Sequence, residues 1–485
     1  MKEYYTTIGL EIHAELKTKT KMFCNSKNDP DEKQPNVNVC PICMGHPGTL
    51  PVINKEAVKH VLKMGVALNG QLADFTEFDR KNYFYPDIPK SYQLSQYKYP
   101  LVSGGELHGI KITRVHLEED TGTSQHEGDH SLVNYNRAGV PLMELVTEPV
   151  IHTAEDAVNF AKELQLLLRY IGAGEANMEK GEMRVEANIS VSDDPKKFGT
   201  KVEVKNLNSF RAVERAIAYE VERHTEALEK GEKIVQETRG WNETKEQTYS
   251  QRTKEDSHDY RYFPDPDLPK LYISEIPEFE KDVLEKELGE LPWAKRERYK
   301  KEFELRDEDV EIYIQSPEWG HYFEAVLRNL GIEFLNQFGN SIPKDRQMAK
   351  LASNYISSDL LGLVKKEPEF WQKKPIDDKH FAELIKMLGE NKVSSRGAKD
   401  ILALMYKEGG EPAKIAQEKG LLQKSDEGEL KTIIEKIIAD NPKVVADYKA
   451  GKEASLQFLI GQGMKATKGS ANPEVLKNLF KSTLG

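Results

Sequence analysis

The sequence predicts an α+β fold: an N-terminal, mainly antiparallel sheet cradle, then an all-helical middle domain and a small helical tail. Three observations carry this. Residues 1–292 are rich in stretches that alternate apolar and polar side chains, as strands do when one face is buried and the other open. From about Pro292 the spacing of Leu and Ala becomes helical against a background of Lys and Glu, through Leu404. Gly409-Gly410 and Pro412 break that run, and Asn441-Pro442 and Asn472-Pro473 divide the C-terminal remainder into short helices such as Leu430 to Ala439 and Glu474 to Phe480. The expected domains are therefore 1–292, 293–405 and 406–485.

Taken in order, Ile8, Leu10, Ile12 and Ala14 predict the buried side of the opening strand, with Gly9, Glu11, His13 and Glu15 on the other. Ile110 to Leu117 alternates in the same way and runs into Glu118-Glu119-Asp120. The clearest strand is Glu182 to Val191, and Lys201 to Lys205 repeats its pattern. Two helices interrupt the strands. One starts after the N-cap Thr153 and runs from Ala154 to Tyr170, with Ala157, Phe160, Ala161, Leu164, Leu167 and Leu168 on one stripe; the other spans Phe210 to Glu229.

At 485 residues the chain exceeds one ordinary core, given roughly 150 residues per domain. With 31% charged residues, no signal-peptide-like opening and no apolar run near the ~18 residues of a membrane span, it reads as a cytoplasmic protein with no membrane partner. A net charge of −11 argues against nucleic-acid binding by the whole surface but leaves room for a local basic patch. The tail offers one: Lys452, Lys465, Lys468, Lys477 and Lys481 face only Glu453 and Glu474 between 452 and 485. Such a patch suits an RNA backbone, or it is an ordinary solvated helical face.

Glu11, His13, Glu118, Glu119 and Glu144 all lie on strands or at strand ends beside turns. Together they suit a hard divalent cation such as Mg²⁺, which takes carboxylate oxygen and keeps positions for water and phosphate. The competing reading is a set of separate acids on an exposed β face. The three cysteines, Cys24, Cys40 and Cys43, lie within twenty residues of one another. They supply three of the four soft ligands of a structural zinc site, with the fourth missing; otherwise they are a turn that has kept its thiols without a metal.

Seven stretches carry a resemblance: GLEIHAEL, FDRKNYFYPDIPKSYQLSQY, HLEEDTGTS, NRAGVPLMELVTEP, MRVEANISV, GTKVEVKNLNSFR and DYRYFPDPDLP. In this order they resemble the B subunits of aspartyl/glutamyl-tRNA amidotransferases along the first 270 residues, and the region from about 335 to 485 resembles that family's YqeY-like tail. The resemblance implies ATP-dependent phosphorylation of the side-chain carboxylate of Glu on tRNA(Gln) or Asp on tRNA(Asn), followed by amidation. It implies His13, Glu119 and Glu144 as Mg²⁺ ligands, with Glu11 and Glu118 as further ligands or water-holders. Arg80, Lys81 and Lys205 become candidates for phosphate contacts, with structural salt bridges as the alternative.

ATP rests on the resemblance alone, because the chain has no G-x-x-x-x-G-K-[ST] and no complete dinucleotide fingerprint. Nor does it have a G-x-S-x-G for glutamine hydrolysis. Ammonia is therefore expected from the family's amidase-type A subunit, in a heterotrimer completed by a small C subunit. The alternative function is a non-catalytic tRNA-binding scaffold. Convergent carboxylates discriminate the two, since a scaffold gains nothing from groups that repel RNA phosphates.

Overall fold

Alternation becomes a ladder in the computed structural model, which describes residues 2–253, 260–332, 343–364, 371, 376–423, 427–467, 471 and 473–484. The chain forms two compact units, Met1–Pro292 and Trp293–Gly485. In the first, the opening strand Tyr5–Glu15 lies at the middle of a large sheet. On one side come Met183–Ser192, Val202–Leu207, Glu237–Asn242 and Gln247–Thr253; on the other come Pro141–Thr147, Ile110–Glu119, Tyr92–Ser95 and Asp79–Asn82. Every pairing along this path is antiparallel except that between Val202–Leu207 and Glu237–Asn242.

Ile8, Leu10, Ile12, Ala14, Val185, Ala187 and Ile189 are fully buried on the back of the sheet. Helices Ala154–Tyr170 and Phe210–Glu229 pack against each other and onto these strands. Thr153 caps the first helix by accepting from the Asp156 amide, and the expected apolar stripe from Ala157 to Leu168 is buried. Each fully buried leucine there contributes roughly 2 kcal/mol. A further helix, Lys55–Ala67, joins the two that the sequence predicted in this unit. Its signal was the N-cap Asn54, which accepts from the Glu56 and Ala57 amides, ahead of the buried stripe Ala57, Val58, Val61 and Leu62.

The second unit is helical from Pro292–Phe303 onward. Tyr299, Phe303, Tyr313 and Phe323 form an aromatic core, with the Tyr313 and Phe323 rings stacked 4.4 Å apart. Helix Ser395–Glu408 runs through position 405 and ends on Gly409, whose φ is +72°. Helices Glu427–Asp440, Pro442–Lys449, Glu453–Ala466 and Pro473–Leu484 then share their own core of Leu430, Ile434, Leu459, Leu476 and Phe480.

One buried ion cluster ties helix Phe210–Glu229 to the sheet. Glu220 meets Arg223 at 2.7 Å, His224 at 3.2 Å and Arg239 at 3.3 Å, and accepts from Thr248. Burial pushes the Glu220 carboxyl up, but the bonds from His224, Arg223 and Thr248 outweigh it and hold the group at about 2. Its contribution is thus fully present above the unfolded value and is lost as pH falls towards 2. Glu220→Ala removes the carboxylate that Arg223 pairs with, leaves Arg239 with Glu237 alone, and is expected to cost about 3 kcal/mol, read from urea unfolding near neutral pH.

Candidate active site

Residues facing each other across an antiparallel ladder point to the same side of the sheet. The register pairs Arg184 with His13, His13 with Glu144 and Glu144 with His116, a row across four neighbouring strands. Glu11 stands opposite Glu186, and Glu118 lies two residues beyond His116 on the same face. The ladder therefore converges four of the expected residues. His13 Nε2 lies 3.4 Å from Glu144 Oε2, 3.6 Å from Glu118 Oε1 and 3.8 Å from Glu11 Oε1. His116, absent from the expected set, reaches Glu144 at 3.4 Å, and Arg114 reaches its other oxygen at 3.3 Å.

The burial of these charges shifts them apart. Desolvation, reinforced by Glu144 and Glu186, raises the Glu11 carboxyl to about 7, and desolvation with Glu144 also raises Glu118. Glu144 is depressed: burial opposes its charge, but His116, His13 and Arg114 more than offset it. Burial pulls His13 down, yet its hydrogen bond to Glu144 and the charges of Glu118 and Glu144 carry it up to about 9. His116 is held neutral at about 4, chiefly by burial.

Glu119 does not join this set, which corrects the expected ligand set. As Glu118's neighbour on a strand it points to the opposite face. There it pairs with Lys90 and accepts the Leu94 amide at 2.9 Å. It lines a small cavity with Cys43, Tyr92, Asp120 and Gly139. The left-handed φ of +86° at Gly139 lets the chain turn between the Asp120 and Met22 backbones, which bond to its amide at 2.9 Å and its carbonyl at 2.7 Å.

The same parity separates the basic candidates. Lys81 pairs with Gln93, and Ser95 with Glu118, so Lys81 shares the acid face. Burial lowers its ammonium's affinity for the proton, but Glu118 and Glu144 raise it above the ordinary value. Among the described residues it has no hydrogen-bond or ion-pair partner. Arg80 is taken up by Asp265 at 2.6 Å and Asp267 at 3.3 Å, a salt bridge in place of the expected phosphate contact. Lys205 likewise bonds Glu186 at 2.6 Å and Glu203 at 3.3 Å.

The acid set fits a divalent cation. Oxygens of Glu11 and Glu144 and a nitrogen of His13 lie within 4.8 Å of one another, and Glu118 Oε2 is buried without a hydrogen-bond partner among the described residues. Repelling carboxylates with an orphaned oxygen are what a hard cation relieves. The thiols also cluster within 4.8 Å, where sulfurs around one zinc stand roughly 3.8 Å apart. The Cys40 amide donates to Cys43 Sγ at 3.1 Å. A hydrogen bond from Cys24 chiefly lowers the Cys43 thiol to about 5 and raises Cys24 in turn. Ser26, with its hydroxyl 3.8 Å from Cys43 Sγ, adds an oxygen and no fourth thiolate.

Residues 6–277 match the family model described as the GatB/GatE catalytic domain, and residues 337–484 match the GatB domain. The chain belongs to the GatB/GatE family. Named members of this family are similar along their whole length. The B subunit of the aspartyl/glutamyl-tRNA(Asn/Gln) amidotransferase of Caldanaerobacter subterraneus subsp. tengcongensis is 44% identical, with 99% of each chain covered. The proteins of the same name from Carboxydothermus hydrogenoformans and Persephonella marina are each 42% identical; the alignments cover 100% and 99% of this chain and 99% and 100% of theirs.

His116 was the GatB/GatE residue that sequence reasoning missed. Its signal was parity, since 116 and 118 share a face and 119 does not. Glu118→Gln and Glu144→Gln are each expected to weaken Mn²⁺ binding about tenfold or more. Glu119→Gln should leave it within about twofold, since that carboxylate is not near the cation set. Titration of the free Mn²⁺ resonance separates the two outcomes.

Proposed function

We propose that the chain performs the synthetic half of a tRNA-dependent amidation, as the B component of a heterotrimer with an amidase-type A subunit and a small C subunit. The substrate carboxylate, on Glu or Asp esterified to tRNA(Gln) or tRNA(Asn), attacks the γ-phosphorus of ATP, and ADP leaves. Ammonia then attacks the resulting acyl phosphate at its carbonyl carbon, phosphate departs, and the nitrogen loses a proton to give the amide. The observation that carries this reading is the convergence of Glu11, His13, Glu118 and Glu144 on one patch, with the ammonium of Lys81, which has no ion-pair partner among the described residues, on the same face.

A divalent cation held by Glu11, His13, Glu118 and Glu144 would neutralise charge on the phosphates. The protein's own groups do the rest. Lys81 offers an ammonium to a phosphate oxygen, and no described carboxylate competes for it at ion-pair distance. The Arg114 guanidinium favours the ionised form of Glu144, so that its oxygens remain available as ligands. The back of the sheet fixes the strands that carry these groups, so little reorganisation accompanies the reaction.

The tail supports contact with RNA less strongly than its composition suggests. Lys452 pairs with Asp447 at 2.9 Å and Lys477 with Glu474 at 3.3 Å, and Lys468 lies outside the described residues. We assign the RNA-facing role to the 427–484 bundle as a whole, whose helices share a cluster of buried apolar residues. No described helix is long and apolar enough to cross a membrane.

In the assembled complex, Glu144→Gln is expected to lower ATP cleavage dependent on mischarged tRNA by roughly a hundredfold or more, with tRNA affinity much less affected. Untouched cleavage with collapsed tRNA affinity would favour the scaffold reading. The chain without partners should accept ammonium but not glutamine. For the cysteines, three thiolates holding zinc predict close to one zinc per chain by elemental analysis, released in Cys43→Ser; a stable metal-free protein would reject the assignment.

A further inference from the structure

Beside the acid patch stands a group of aromatic side chains that phosphoryl transfer leaves unused. Tyr83, Phe84 and Tyr85 come directly after the Asp79–Asn82 strand, Tyr97 lies just past Tyr92–Ser95, and Tyr260 and Tyr262 precede Phe263–Pro264. The Tyr97 and Tyr262 rings stack with centres 4.2 Å and planes 11° apart. Tyr260 meets Tyr262 edge-on at 6.0 Å and Tyr83 edge-on at 5.8 Å. The group is nonetheless open, with Phe84 82%, Tyr97 64% and Tyr85 51% exposed.

The strand itself clamps these rings into place. Asp79 accepts the amides of Tyr97 at 3.2 Å and Lys98 at 3.4 Å. Asn82 donates its side-chain amide to the carbonyls of Tyr260 and Arg261, each at 3.0 Å, and Arg80 holds Asp265. Segments more than 150 residues apart are thereby joined in one aromatic surface. Such an exposed aromatic surface suits a ligand that covers it.

Lys81 connects this surface to the acids. Its ammonium lies 5.2 Å from the Tyr260 ring centre and 5.9 Å from that of Tyr83, on the face that carries Glu118. Across the front of the sheet the order is open ring stack, an ammonium with no ion-pair partner among the described residues, then carboxylates. That order matches a nucleotide, which is a flat base at one end and phosphate at the other. A protein partner would cover the rings but has no use for the ammonium beside the acids.

We propose that the Tyr97–Tyr262 stack is a platform for an adenine ring, brought either by ATP or by the unpaired terminal adenosine of the tRNA, with the attached phosphate directed towards Lys81. The identity of the nucleotide rests on the transamidation reading above; the platform rests on the rings. Every base has a π-face, and loss of one stacking ring weakens binding between about fivefold and a hundredfold.

Binding to the full chain is measured for two probes, Mg²⁺–ATP and a tRNA transcript with or without its terminal adenosine. The proteins compared are wild type, Tyr97→Ala, Tyr262→Ala and Tyr97→Phe. Both alanine variants are expected to lose about fivefold or more for one probe, and Tyr97→Phe to bind within about twofold of wild type, because the ring and not the hydroxyl stacks. A loss for ATP identifies ATP as the source. Indifference of the alanine variants to removal of the terminal adenosine, where wild type is sensitive, identifies the tRNA. Alanine variants with unchanged melting that bind both probes like wild type overturn the platform, as does a loss confined to association with partner subunits. If the probes bind through the stack but the complex cleaves no ATP, the platform stands and the transamidation reading falls.

Discussion

The cross-strand register of the opening strand is the constraint on which the site depends. An antiparallel ladder obliges directly paired residues to share a face, and a slip of one position would exchange that whole face for the other. With His13 opposite both Glu144 and Arg184, and Glu11 opposite Glu186, the strand collects charge from its two neighbours at once. The alternate positions Ile8, Leu10, Ile12 and Ala14 are fully buried behind it. The core therefore locks the register, and the register assembles the site.

Such a site is held together against its own repulsion. Glu11, Glu118 and Glu144 crowd around one imidazole, and burial of the first two drives their carboxyls towards the protonated form. What offsets the cost is local: Arg114 on Glu144, His13 among all three, and apolar packing behind the sheet. Groups fixed in this way need not reorganise when charge develops on a transferring phosphoryl group.

The two faces divide the labour. On the acid face lie Lys81 and Glu118; on the other, Glu119 and Lys90 form an ion pair beside Cys43 and Gly139. The last four helices share a cluster of buried apolar residues within the second unit, Trp293–Gly485, and the family matches fall on the sheet unit and on residues 337–484. Two of the tail's lysines are neutralised by acids close in the chain. Net basic excess in a segment thus overstates the charge that remains for a partner.

Much of the architecture was legible in the sequence, because periodicity is local. The helices Ala154–Tyr170 and Phe210–Glu229 and the alternating strands arise from spacing and caps that lie within a few residues of each other. The motif resemblance reached the family by the same route, through contiguous wording. The membership of the site was different. Glu118 and Glu119, or Arg80 and Lys81, are equal candidates by residue type, and only one of each pair points to the acid face. His116 entered the site because its strand pairs with Pro141–Thr147 at that register, and Tyr97 met Tyr262 because Asp79, Arg80 and Asn82 clamp two distant segments. The sequence determined which segments are strands and which are helices; tertiary structure alone decided which side chains meet, since pairing register and loop closure depend on contacts between residues far apart in the chain.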